Sequence, residues 1–323
     1  MDKPFKTYRQ QINILRGRNL EIKNGSKAIK CLKTEGYYNI INGYKDIFLD
    51  SNLTKQYNDD RYKTGTKFEH IYALYTFDRN LRAILLKYIL KMETSLKTKV
   101  AYAFSSNYKQ NFSYLDINNF DNTNPKTATD LIAAISDVIK KNNKAGNQIY
   151  HYLDKHKELP LWVLTTRMTL GNIIYFYNAM KMNVKLDVIN DIVSTYEKEY
   201  KLKLSTTPSA QEGFISNMFA FINKFRNSCA HEERLYSQII KNNNKILNIV
   251  HFHKSSAKSF SSHCKDLIII LGLFISKNDY KYMIKEVEAD IDSLSKQLPQ
   301  NMLNQVLMKM GFSKNWKSDI TLP

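Results

Sequence analysis

Residues 67–105 read KFEHIYALYTFDRNLRAILLKYILKMETSLKTKVAYAFS, and this stretch decides the fold class. Leu74, Phe77, Leu81, Ile84, Leu85, Tyr88, Met92, Leu96 and Val100 recur at three- and four-residue steps. That period predicts one long helix with a single apolar stripe. The opposite side carries Arg79, Arg82, Lys87, Lys91, Lys97 and Lys99, relieved by Glu93. Such a side reads either as a solvated helix face or as one turned toward a polyanion.

The same rhythm continues outward in both directions. Upstream, Lys6–Leu15 reads as a helix broken at Gly17, with Ser26 as the cap of a second helix running to Leu32. The stretch Thr34–Tyr44 is aromatic and bracketed by Gly36 and Gly43; its tyrosines suit a core edge better than a base-stacking surface. Downstream, residues 106–125 are rich in Asn, Ser and Asp and read as irregular. Helices are predicted over 128–141, from Leu159 toward Gly171, over 173–180, 187–200 and 213–226, and again around 267–274, 285–298 and 302–310. Residues 204–210, with Pro208 inside, read as a linker, and Asn242-Asn243-Asn244 as a turn. With 10 Gly and 6 Pro in 323 residues and no array of alternating runs, an all-α helical bundle is expected.

Composition sets the partners. Lys and Arg number 48 against 30 acids, a net charge of +18 with a sequence pI near 9.5. That field attracts polyanions, nucleic acid first among them. Only nine of the 48 are arginine, and the abundance of Lys, Asn and Ile is also what AT-rich coding produces. No run of 18 apolar residues occurs and the start MDKPFKTYRQ lacks an apolar signal core, so neither a membrane span nor secretion is expected. Three widely spaced cysteines, Cys31, Cys229 and Cys264, suit a reducing cytoplasm.

The chemistry-bearing candidate lies in residues 221–236, FINKFRNSCAHEERLY. Phe214, Met218, Phe221 and Phe225 form a buried stripe, and Arg226, Asn227 and His231 gather at its end. Asn227 and His231, four apart, share a helix face; Arg226 is about 140° from His231 by the 3.6-residue repeat. Arg is a permanent forked phosphate ligand. His can take a proton from a ribose 2′-hydroxyl or return one to a leaving 5′-oxygen, and Asn can orient either. The trio suits RNA cleavage without a metal, ending in a 2′,3′-cyclic phosphate. By spacing alone, structural hydrogen bonding at a helix end is the reading these residues suit better. Other sites are weaker. His251, His253, His263 and Cys264 match no standard zinc spacing, no G-x-x-x-x-G-K loop occurs, and Cys229 reads as a packing residue. Glu35, Asp78 and Glu93 are acids that nothing in the sequence brings together. No metal or cofactor is expected.

Arg226-Asn227-Ser228-Cys229-Ala230-His231 fits the R-N-x-x-x-H form of the HEPN ribonuclease signature, and the chain resembles the Abi-like (AbiD/AbiF-type) abortive-infection proteins. The likeness is carried by Tyr37-Tyr38 with Gly43-Tyr44, by Leu74–Arg82 leading to Glu93, by Leu159–Leu164 with Gly171, by Arg226–Tyr236, and by Met310-Gly311-Phe312 before Trp316. The resemblance implies an all-α fold with a HEPN-like module and an N-terminal helical extension, Arg226 and His231 as the catalytic pair, and Asn227 as their helper. It implies a small structured non-coding RNA as partner and a homodimer with its interface near residues 213–236, since HEPN nucleases pair two motifs across one cleft. Two departures stand out. Glu232 occupies a position where many relatives carry a second His, placing an acid that would repel phosphate, and Tyr236 stands where the family usually has Trp.

The expected organisation is therefore an N-terminal basic region, residues 1–60, for RNA contact, and a helical body, 61–323, containing the motif at 226–231. RNA-binding candidates are Lys3, Lys6, Arg9, Arg16, Arg18, Lys23, Lys27 and Lys30, with Arg79, Arg82, Lys87, Lys91, Lys97 and Lys99. The leading reading is a cytoplasmic phage-defence protein with latent endoribonuclease activity. A non-catalytic RNA-binding protein and a protein-interaction regulator are the competing classes.

Overall fold

The computed structural model describes residues 4–204, 208–241 and 261–320. Helices α1 (Tyr8–Gly17), α2 (Gly25–Glu35) and α3 (Ser51–Tyr57) precede the long α4 (Phe68–Asn107). Then come α5 (Pro125–Asn142), α6 (Gln148–His151), α7 (Leu161–Leu164), α8 (Leu170–Ala179), α9 (Met182–Tyr200) and α10 (Pro208–Ala230). The series closes with α11 (Cys264–Phe274), α12 (Lys277–Ser295), α13 (Gln300–Lys309) and α14 (Trp316–Asp319). Among the described residues the only β pairings are isolated bridges, so the fold is all-α. No helix among them is long and apolar enough to cross a membrane.

The stretch quoted first is the axis of the bundle. At 40 residues α4 is about 60 Å long by the helical rise. It packs against α7, α8, α9, α10, α11 and α12. Leu74, Phe77, Leu81, Leu85, Tyr88, Met92, Leu96 and Val100 are all buried, as their spacing predicts, and Ile84 is half-buried. One contiguous core runs from Ile12 to Ile320 and takes in Ile40, Ile41 and Phe48 from the N-terminal segment.

Several local expectations change. Asn24, not Ser26, caps α2, its side chain accepting from the Lys27 amide at 2.9 Å. Pro160 ends up as the cap of a four-residue helix, and a 3-10 turn over Thr165–Arg167 breaks the chain before α8, so no continuous helix reaches Gly171. Helix α10 begins at Pro208, inside the expected linker, because proline is at home in a first helical turn. Gly311 has φ +88°, and a Cβ there would meet His263 Cβ at 2.8 Å, so its neighbours Met310 and Phe312 turn around a position that only glycine fills.

Helix α12 lies along α4, and one of its acids faces that interface. Asp290 Oδ1 accepts from Asn80 Nδ2 at 3.1 Å, whereas Oδ2 is buried without a partner. Burial first, then the nearby Asp78 charge, push its carboxyl up to about 6, with the Asn80 bond opposing. A carboxyl raised in the folded state favours folding while it is protonated, and that contribution fades as pH climbs from the unfolded value near 4 through 6. Thermal stability should therefore decline over this window, and Asp290→Asn should flatten the decline in melting curves recorded from pH 4 to 7.

Candidate functional site

Helix α10 delivers the motif. Ile215, Met218, Phe219, Phe221, Ile222 and Phe225 are buried along it, packed against α4, α8, α9 and α11. This stripe fixes the rotation of the last turn, which brings Arg226 half under cover and leaves Asn227 exposed. His231 follows directly after the helix, its backbone amide still donating to Asn227 O at 2.9 Å, and its side chain is exposed. Glu232 adopts φ +57° and turns the chain out of the helix. The imidazole and the guanidinium are both reachable from solvent.

The Arg226 guanidinium is steered from beneath by α4. Its Nε lies 3.6 Å from Glu93 Oε2, and both atoms are buried with no hydrogen-bond partner, so opposite charges face each other across a gap slightly too long for a bond. The other Glu93 oxygen pairs with Lys97 Nζ at 2.8 Å. A buried carboxylate between two cations holds the forked end of Arg226 near the surface while its inner edge is anchored.

A second carboxylate moors the segment that follows the motif. Asp78 is fully buried and accepts from Tyr44 Oη at 2.6 Å, Arg82 Nη1 at 2.7 Å, the Leu235 amide at 3.0 Å and the Tyr236 amide at 2.7 Å. Burial raises its pKa against the pull of these donors. Arg82 Nη1 also donates to Glu233 O at 3.3 Å, and Arg234 reaches back to Gly43 O at 2.8 Å and Asp46 at 2.7 Å. Tyr236 is buried against Tyr44, ring centroids 6.1 Å apart at 21°. The blocks around residues 44, 78–82 and 233–236, far apart in sequence, thus converge on one buried carboxylate. Ser228, also buried, donates to Glu233 at 2.9 Å and accepts from Gln238 at 2.7 Å, tightening the same turn. Cys229 is buried and its thiol is pushed up to about 12 by desolvation, which makes it a packing group rather than a nucleophile.

The expected basic surface divides in two. Lys6, Arg9, Lys23, Lys27 and Lys30 are exposed on and around α1 and α2 and carry no ion pair among the described residues. Lys3 lies outside the described residues. Arg16 donates to Ile22 O at 3.0 Å, and Arg18 grips Asp59 through Nε at 3.0 Å and Nη2 at 2.6 Å. The α4 cations are all matched: Arg79 to Glu35, Arg82 to Asp78, Lys87 to Glu286, Lys91 to Asp279, Lys97 to Glu93 and Lys99 to Asp191. Arg82 is a correction, since it is buried at 5% exposure and cannot face a polyanion. A helix at the axis of a bundle has neighbours on nearly every side, so its polar face meets acids on α2, α9 and α12, although Arg79, Lys87 and Lys91 stay exposed beside their partners.

Glu35, Asp78 and Glu93 do not pair with one another; each takes a cation of its own. The roles of Asp78 and Glu93 were missed from sequence, although the four-residue steps Asp78–Arg82 and Glu93–Lys97 were a visible signal. Among the described residues no cluster of His, Cys, Asp and Glu could hold a metal ion; His251 and His253 lie outside them. Cys264 is wholly buried, its thiol pushed far up by desolvation.

A family model described as Abi-like protein matches residues 30–237, well over half of the chain. The match reaches from α2 to just past the motif turn and includes every residue gathered around Asp78 and Glu93. No curated protein and no solved structure matches the chain.

Proposed function

The chain belongs to the Abi-like protein family, which suggests a role in abortive infection, a defence against phage, and on that premise we propose that it binds RNA and cleaves it through Arg226 and His231. The observation that carries this reading is the pairing at the end of α10. A guanidinium held near buried Glu93 and an exposed imidazole stand at the same end of α10, with Asn227 in its last turn. In the proposed reaction the Arg226 fork binds the scissile phosphate. His231 withdraws the 2′-hydroxyl proton as the 2′-oxygen attacks phosphorus, and the 5′-oxygen leaves with a proton from a second acid. A 2′,3′-cyclic phosphate and a 5′-hydroxyl end result, and no metal is required.

One imidazole cannot serve as base and acid at the same instant, which is the chemical reason for a second motif. A homodimer that sets two α10 ends across a common cleft supplies it, the second His231 protonating the leaving oxygen. The unpaired cations of α1 and α2 are the backbone-binding surface in this reading, and a small structured non-coding RNA is the proposed partner. The activity is latent when bound RNA holds two copies apart.

The test is incubation of purified protein with RNA in the presence of a chelator, followed by mapping of fragment ends. Fragments with cyclic phosphate and 5′-hydroxyl ends are expected from wild type and not from Arg226→Ala. Fragments with 3′-hydroxyl ends, or none under any oligomeric state, would overturn the reading. A purely structural Arg226 is favoured by its Glu93 contact; in that case RNA binding survives and cleavage is never seen.

A further inference from the structure

Three open cavities lie side by side along the C-terminal half of α4, and two exposed aromatic rings stand between them. The first, about 630 Å³, is lined by Lys97, Thr98, Ala101, Tyr102, Trp162 and Thr166, among others. Trp162 and Ser105 are shared with the second, about 270 Å³, which continues past Lys109, Gln110 and Asn111. Tyr102, Thr98 and Ser106 are shared with the third, about 640 Å³, against α9. Trp162 is 60% exposed and Tyr102 77%. Large aromatic rings at that exposure, each dividing two clefts, serve no core.

Charge separates the clefts. The third is walled by Asp187 and Asp191, of which Lys99 on the same wall matches only Asp191, leaving a net negative charge that would repel a polyanion. The run from the first cavity past Trp162 into the second has exposed Lys109 at one end and exposed Arg167 next to its Thr166 wall, and neither is ion-paired among the described residues. Glu158 is the opposing acid in the second cavity. The first cavity is linked to the motif through one ion-pair network. Glu93, Lys97 and Ala101 follow one another at four-residue steps on α4, and Glu93 is the carboxylate that holds both Lys97 and Arg226.

From this placement we infer that the groove running from Lys97 past Trp162 to Lys109 binds single-stranded RNA, with unpaired bases stacking on Trp162 and Tyr102 and Lys109 and Arg167 on the phosphates. Base stacking on an aromatic ring tolerates any sequence, and hydroxyl-lined walls can serve base edges of several kinds. A duplex is excluded, because its bases are already stacked on each other. The inference rests on the RNA reading of the previous section and extends it. The groove would feed an unpaired segment toward Arg226, so cleavage should fall in loops and single strands.

The test uses the full chain carrying His231→Ala, so that bound RNA is not consumed, with Trp316→Phe leaving Trp162 as the sole tryptophan. A short oligouridylate should quench Trp162 fluorescence, and duplex RNA of the same length should not. Trp162→Ala and Tyr102→Ala should each weaken oligouridylate binding about tenfold, the loss of one base stack. Both side chains are exposed, so circular dichroism and melting should be unchanged. Lys109→Ala should weaken binding and lower its salt dependence. Unaltered fluorescence, or unaltered affinity in both aromatic variants, would overturn the groove while leaving cleavage by Arg226 and His231 standing. Quenching by oligouridylate in a protein whose wild type never cleaves RNA would sustain the groove and remove the nuclease.

Discussion

His231→Ala is expected to lower RNA cleavage by about 10²- to 10⁴-fold, the usual contribution of a positioned acid–base group, with melting temperature and RNA affinity at wild-type values. The structure makes this variant clean. His231 follows the end of α10 with its side chain in solvent, and the one bond it adds to the helix, amide to Asn227 O, belongs to the backbone that Ala keeps. Arg226→Ala is the informative contrast. It should also abolish cleavage, but at a cost in stability, because Glu93 would then be buried with Lys97 as its single cation. Single-turnover cleavage and thermal melting of the two variants together check the assignment. Retained cleavage in His231→Ala would remove the imidazole from the reaction.

Asp78→Ala should produce the largest loss of stability, about 3–5 kcal/mol, the penalty for leaving one partner of a buried ion pair behind. At a few degrees per kcal/mol for a chain of this size, the melting temperature should fall by about 10 °C. Arg82 would be left buried without its counter-charge, still bonded to the Tyr44 hydroxyl and Glu233 O, and the Tyr44 proton and the amides of Leu235 and Tyr236 would lose their acceptor. A double variant, Asp78→Leu with Arg82→Met, should recover only part of the loss. It removes the orphaned cation but gives the two amides and the hydroxyl nothing to bond to. Cleavage should fall in both variants, since the turn after the motif loses its mooring on α4. Chemical denaturation of the three proteins tests this ordering, and a double variant as stable as wild type would refute it.

The helical period of residues 67–105 was legible because apolar spacing is a local property: the residues that face the core of a helix recur at 3.6 whatever surrounds them. The stripe of α10 was legible for the same reason and is buried as its spacing predicts, whereas His231 falls just past the helix end, beyond the reach of the helical repeat. The destination of the charged face of α4 was not. Lys87 meets Glu286 and Lys99 meets Asp191 across the bundle, pairings set by which helices pack on which, and no spacing within α4 encodes them. Arg82 shows the limit most sharply, a cation buried beside Asp78 on what looked like an outward face.

Local periodicity alone therefore dictated an all-α chain, its long central helix and the apolar stripe of α10, because each depends on neighbours within a few turns. The meeting of Tyr44 with Asp78 and of Arg226 with Glu93, and the standing of Trp162 between two clefts, came only with packing. These contacts join residues tens to more than a hundred positions apart. The energy of the two carboxylate contacts comes from burying charges that only a completed bundle can shield from water.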